Sequence, residues 1–133
     1  MIIRKKLISF RQRTTAGNIY LPHEVEFKQE TYGSLEQSDS YLVPLDKIAA
    51  SGRTTFETDG IWIDLKIWSN PYGAEFARLF ESGYHLKPIG TGRIDGEGVI
   101  RDFVLHHFCL TKNPLWNDNV PKQRKGSSRN TRC

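Results

Sequence analysis

Few residue combinations in this chain of 133 residues have the spacing that chemistry requires. His106 and His107 are adjacent. On a strand, neighbouring side chains point to opposite faces, so the two cannot share one metal or one substrate. They are read as structural. His23 and His85 add no ligand-spaced pair, and zinc takes about four ligands, usually with close Cys/His pairs. Cys109 and Cys133 form neither a CxxC pair nor a disulfide framework, which suits a reducing compartment. No metal and no cofactor is expected. Gly90-Thr91-Gly92 and Gly96-Glu97-Gly98 are glycine-rich, but a phosphate cradle needs a helix N-terminus behind it. Strand-like sequence follows both, so they are read as turn and bulge glycines. Asp59, Asp95 and Glu97 are turn carboxylates. Two carboxylates divide acid and base roles only where their environments separate their pKa values. Turn carboxylates are ordinarily solvated and serve the backbone. No catalytic residue is assigned.

The aromatic residues offer a different chemistry. Trp62, Trp68, Tyr72 and Trp116 are candidate anchors for a protein partner. Large aromatics dominate the centres of protein interfaces. Stacking on bases is the alternative, worth about 1–3 kcal/mol per base. Asp64 lies between the two central tryptophans, which favours the protein partner.

Charge is unevenly placed. Residues 1–13 carry five basic groups and no acid, and residues 121–133 carry five more and no acid. The body, 14–120, has nine basic and fifteen acidic residues. Basic ends on an acidic body suggest an arm that meets nucleic acid or an acidic protein surface. In the tail the residues concerned are Lys122, Arg124, Lys125, Arg129 and Arg132. No apolar run approaches the roughly 20 residues of a membrane helix. The N-terminus lacks the uninterrupted apolar stretch of a secretory signal.

Behind these residues stands a coarse pattern of elements. Residues 2–12 read as a first strand, and Gly17-Asn18 as a turn. Pro22 followed by His23-Glu24-Val25-Glu26 suits a helix start. The alternation of Val25 and Phe27 equally suits a strand, and a short helix is the reading preferred. Residues 34–41 read as a loop, 41–45 as a short apolar strand ended by Pro44, and 46–52 as a connection. Residues 53–58 and 61–68 flank Asp59-Gly60, the strongest hairpin signal in the chain. Ile61, Ile63, Leu65 and Ile67 share one face of the second strand. Asn70-Pro71 starts a helix that stops at Gly83. Residues 84–94 and 99–110 form a second hairpin around Asp95-Gly96-Glu97-Gly98. Simple alternation puts Phe103, Leu105, His107 and Cys109 on one face of the last strand and Val104, His106, Phe108 and Leu110 on the other. Both faces are apolar, so this strand is expected to be central and covered on both sides. Residues 121–133 cannot bury enough surface to offset ordering entropy and are expected to be disordered without a partner. The expected fold is α+β, a mainly antiparallel sheet or small β-barrel with one or two helices. One domain spans 1–120 and a basic tail 121–133.

Read together, several segments resemble the prohead core proteases of tailed phages. These are Asp59 to Gly73, Leu79 to Gly83, Gly90-Thr91-Gly92, Gly98 to Leu105 and Asn113-Pro114. Asn70-Pro71-Tyr72-Gly73 is similar to the family's helix start, and Gly90-Thr91-Gly92 to its "G-x-G". The resemblance implies an assemblin-like β-barrel. Its register places the family's nucleophilic serine at Pro88 and the following arginine at Ile89, with Lys87 just before. The segment that holds the family's histidine reads Tyr41-Leu42-Val43-Pro44-Leu45-Asp46 here. Acyl transfer needs an activated nucleophile and a base within reach. The resemblance therefore implies the fold without the chemistry.

The expected function is a non-catalytic phage or viral structural or assembly protein. Its partners would be capsid, portal, tail or scaffold components, its place the virion or the host cytoplasm during assembly, and an oligomer is compatible. One alternative is a nucleic-acid-binding accessory protein that uses the basic ends. The other is a maturation protease with a displaced active site.

Overall fold

The computed structural model describes residues 2–37 and 43–116. Eight strands and one helix follow in order: β1 (Ile2–Ser9), β2 (Ile19–Tyr20), β3 (Val25–Glu26), β4 (Glu30–Ser34), β5 (Ala50–Glu57), β6 (Gly60–Ile67), α1 (Pro71–Glu81), β7 (His85–Ile94) and β8 (Val99–Thr111). Single 3-10 turns occupy Pro22–Glu24 and Leu45–Lys47. The fold is mostly β, with one helix against a curled, mainly antiparallel half-barrel. Neighbours run β1-β6-β5-β4-β8-β7. β2, β3 and β4 line one edge of β8 in parallel, at Ile19↔Val99, Val25↔Phe103 and Gly33↔Phe108. β7 takes the other edge, so β8 is central. β1 and β7, the ends of the curl, come alongside each other, and no ladder joins them among the described residues.

The central hairpin forms as its alternation predicts, because Ile61, Ile63 and Leu65 are all fully buried. Its turn lies one residue earlier than expected. Glu57 pairs with Gly60, leaving Thr58-Asp59 as the loop, and neither Asp59 nor Gly60 has positive φ. Gly60 is needed for a different reason. A Cβ there would meet the Ile8 carbonyl oxygen at 2.0 Å, so glycine lets β1 pass close to β6.

Helix α1 begins and ends where its caps lie. Asn70 Oδ1 accepts the Gly73 N–H at 2.6 Å, and Pro71 occupies the first turn. At the other end Gly83 takes φ +109. The Gly83 N–H donates to Phe80 and the Tyr84 N–H to Leu79, closing the last turn. Phe76 is fully buried and meets Phe108 edge to face at 6.4 Å. A side chain of that size contributes about 1.5–3 kcal/mol on burial.

Four further expectations are corrected. The short helix in 19–33 is a single 3-10 turn between β2 and β3. The edge of β8 supplies a ladder there, and Val25 returns to extended geometry. Strand β5 starts at Ala50, inside the expected 46–52 connection. In the expected strand 41–45, Pro44 instead precedes a 3-10 turn, and Tyr41 and Leu42 lie outside the described residues. The faces of β8 differ from simple alternation because the strand carries two bulges. Asp102, at φ +52, and Phe103 together oppose Gly92, and His106 falls between the pairs Ile89↔His107 and Gly90↔Leu105. Each extra residue reverses the phase. As a result Ile100, Phe103, Leu105, Phe108 and Leu110 all enter one core. His107 and Cys109 lie on the opposite face and are buried too, so both sides are covered at that end of β8.

Candidate functional site

An open groove of about 1130 Å³ lies at the α1 end of the half-barrel. Helix α1 supplies Tyr72, Glu75 and Leu79, which helical spacing puts on one face. Tyr84 and Lys87 come from the start of β7, and Cys109, Leu110 and Thr111 from the end of β8. Ser34 and Leu35 to Gln37 follow from β4, and Pro44 and Lys47 from the second 3-10 turn. Ladder register aligns Lys87, Cys109 and Ser34 as one row across three strands. Neighbours in such a row are about 4.8 Å apart.

The row does not form a nucleophile. Cys109 is 2% exposed, and burial pushes its thiol up. Lys87 opposes that shift and Glu36 reinforces it, so both charges lie near the sulfur. A buried thiol held in its neutral form is inert. Pro88 is buried and pairs with Phe108, so the serine register of the resemblance looks into the core. The residue that faces the groove is Lys87. On the helix side, Arg78 holds Glu75 through both carboxylate oxygens, Nε to Oε1 at 2.8 Å and Nη2 to Oε2 at 2.5 Å. These hydrogen bonds lower the Glu75 pKa and raise that of Arg78. The groove thus offers an apolar floor of Leu35, Leu79 and Leu110, tyrosine and threonine hydroxyls, and two lysines.

The four candidate anchors are spread over the molecule. Trp62 lies on the outer face of β6, with its Nε1 donating to Asp59 Oδ1 at 2.9 Å. The Arg4 guanidinium and Lys6 ammonium cover its ring at 5.1 and 5.5 Å. Trp68 donates to Ser51 Oγ and meets Tyr32 edge to face. Trp116 donates to the Gln12 carbonyl and packs on Tyr20. Tyr72 alone joins the groove. Lys122, Arg124, Lys125, Arg129 and Arg132 lie outside the described residues.

The basic N-terminus is a paired strand, not an arm. Arg4 bridges Glu57 and Asp64, and Lys6 bridges Asp59. Arg11 and Arg13 donate to backbone carbonyls of Thr58 and Gly17. Asp95 serves the backbone of its turn, accepting the Glu97 and Val99 N–H groups and Arg101 Nε. His106 Nε2 lies 3.0 Å from Thr91 Oγ1. Among the described residues no group of three or more His, Cys, Asp or Glu is placed to hold a metal, and no helix is long and apolar enough to cross a membrane.

The sequence reading missed Lys47, Lys87, Glu75, Leu79 and Tyr84 as groove residues. The spacing of Tyr72, Glu75 and Leu79 was the available signal, because it marks one mixed face of α1. The fold and its groove define a curled half-barrel with a mixed polar and apolar cleft. No protein-family model matches the chain, and no curated protein or solved structure matches it.

Proposed function

We propose that this chain is a non-catalytic binding domain that holds a segment of a protein partner in the groove beside α1. The carrying observation is the groove itself. It is open, it has an apolar floor and polar walls, and its central row presents a lysine and a neutral thiol. Small-ligand pockets usually run from about 300 to 1,000 Å³ and enclose most of their ligand. An open cleft of about 1130 Å³, above that range, suits a length of polypeptide. Pro88 supports the non-catalytic part, since a core-facing proline stands where the resembled proteases carry their serine. The same resemblance supports a place in viral assembly, with a capsid, portal, tail or scaffold component as the partner.

Gradient sedimentation of assembled particles tests the reading. The protein is expected in particles at a fixed stoichiometry. Leu79→Arg, which puts a charge on the groove floor, is expected to release it, with circular dichroism checking that the variant is folded because Leu79 also packs against the core. Absence from particles overturns the assembly role. Full retention of a folded Leu79→Arg variant overturns the groove as its binding site. Cleavage of a scaffold protein by purified material would restore the protease alternative.

A further inference from the structure

The groove's charges differ from those on the outer face of β1, and the difference bears on what it binds. Lys47 and Lys87 make no ion pair among the described residues, although every strand-borne cation of β1's outer face has a carboxylate partner. Of the two lining carboxylates, Glu75 is already held by Arg78. Arg78 lies near enough to Tyr84 for the two to interact, which brings a third cation to the rim. Glu36 is the one lining carboxylate without an ion pair among the described residues. Among the described residues, with Arg78 counted, the groove has three cations against two anions. It sits in a folded body that includes the basic β1, so that residues 1–120 carry fourteen basic and fifteen acidic groups. A locally positive cleft on a nearly neutral body attracts anions to the cleft.

We propose that the groove takes an extended acidic peptide segment with an apolar anchor. The anchor side chain packs on Leu35, Leu79 and Leu110, and flanking Asp or Glu residues meet Lys47 and Lys87. Lys87 is the more selective of the two, because it is half-buried beside Cys109, whereas Lys47 is exposed. A basic segment would bring further cations beside these lysines and would be rejected by repulsion. This inference rests on the binding-domain reading and names the chemistry of its partner.

Selection of short random peptides displayed on a surface, with the full chain as bait, tests both. The enriched peptides are expected to combine Asp or Glu with Leu, Ile or Phe. For a synthetic peptide from that pool, fluorescence anisotropy at low salt should show a loss of about tenfold or more for the Lys47→Glu/Lys87→Glu variant, and weakening by added salt. Shifted amide resonances of Leu79, Lys87 and Leu110 should place the peptide in the groove. Enrichment of uncharged or basic peptides that shift the same resonances would overturn the acidic class and leave the binding-groove reading standing. So would equal binding by the charge-reversed variant. Peptides that shift other residues, or no enrichment at all, would overturn both. The amide spectrum of the variant shows that it is folded.

Discussion

The outer face of β1 and β6 and the groove beside α1 contain the same kinds of residue in different circumstances. On the outer face, Arg4 lies between Glu57 and Asp64 at 3.1 and 3.2 Å, and Lys6 meets Asp59 at 3.0 Å. Trp62 fills the space between these cations and donates to the same Asp59. Arg4 faces Asp64 directly across the ladder, and the β5–β6 turn brings Glu57 and Asp59 to Arg4 and Lys6. In the groove, the neighbours of Lys87 across the ladder are a thiol and a serine. Neither can neutralise an ammonium. A charged residue on a strand is therefore structural or available according to what register puts opposite it, and its type alone does not decide.

The comparison can be broken at its shared foundation. Phe76 packs beneath the groove and belongs to the core that also backs β6. Phe76→Ala should cost about 3–5 kcal/mol in denaturant unfolding, since it leaves a cavity that α1 and β8 cannot close. Loss of both the groove's binding and global stability is the expected outcome. A variant of nearly wild-type stability would show that α1 is not part of the cooperative unit.

The next effect is a pH dependence held by neither region. Glu24 accepts the Asp102 N–H at 3.0 Å and pairs with Arg101, which also binds Asp95. Backbone hydrogen bonds, then Arg101, hold both carboxyls below their ordinary values of 4.5 and 3.8. In the fold they bind protons more weakly than in the unfolded chain. Their contribution is present above the ordinary carboxylate range and is lost as pH falls below about 4 through the lowered values. Glu24→Gln should flatten part of that acid loss in thermal melts. It should also loosen the bulge at Asp102, seen as faster amide exchange there. An unchanged acid profile would remove Glu24 from the account.

Smaller effects sharpen the contrast itself. Trp62→Ala removes a ring that two cations cover and should cost on the order of 1 kcal/mol or slightly more. Lys47→Met/Lys87→Met removes charges that bridge to nothing among the described residues, and should change stability by no more than about 0.5 kcal/mol. Equal costs for the two variants, by urea titration, would erase the distinction between paired and available charge.

These residues also show how far the sequence could be read. Asn70, Pro71 and Gly83 mark the ends of α1 through interactions within a few residues. The alternation of Ile61 to Leu65 marks a buried strand face because each residue reports its own burial. Both were legible. The hairpin turn was off by one, because Gly60 is required by β1, more than fifty residues earlier in the chain. The faces of β8 were misassigned after His106, because a bulge leaves no mark on hydrophobic alternation until the partner strand is known. The groove was illegible for the same reason. Lys87, Cys109 and Ser34 are far apart in the chain and become neighbours through two ladders.

The amino-acid sequence by itself determined the local outcomes: a mainly β chain, its central hairpin, and one capped helix. Short-range sterics, caps and side-chain period act within a few residues, so they can be read along the chain. The tertiary structure alone decided the parallel docking of β2, β3 and β4 on β8, the two bulges and the neutralisation of Arg4 and Lys6. It also decided the groove, with its unbridged lysines. Each of these depends on which residue another strand places opposite, and that is settled only when the sheet curls and its core closes.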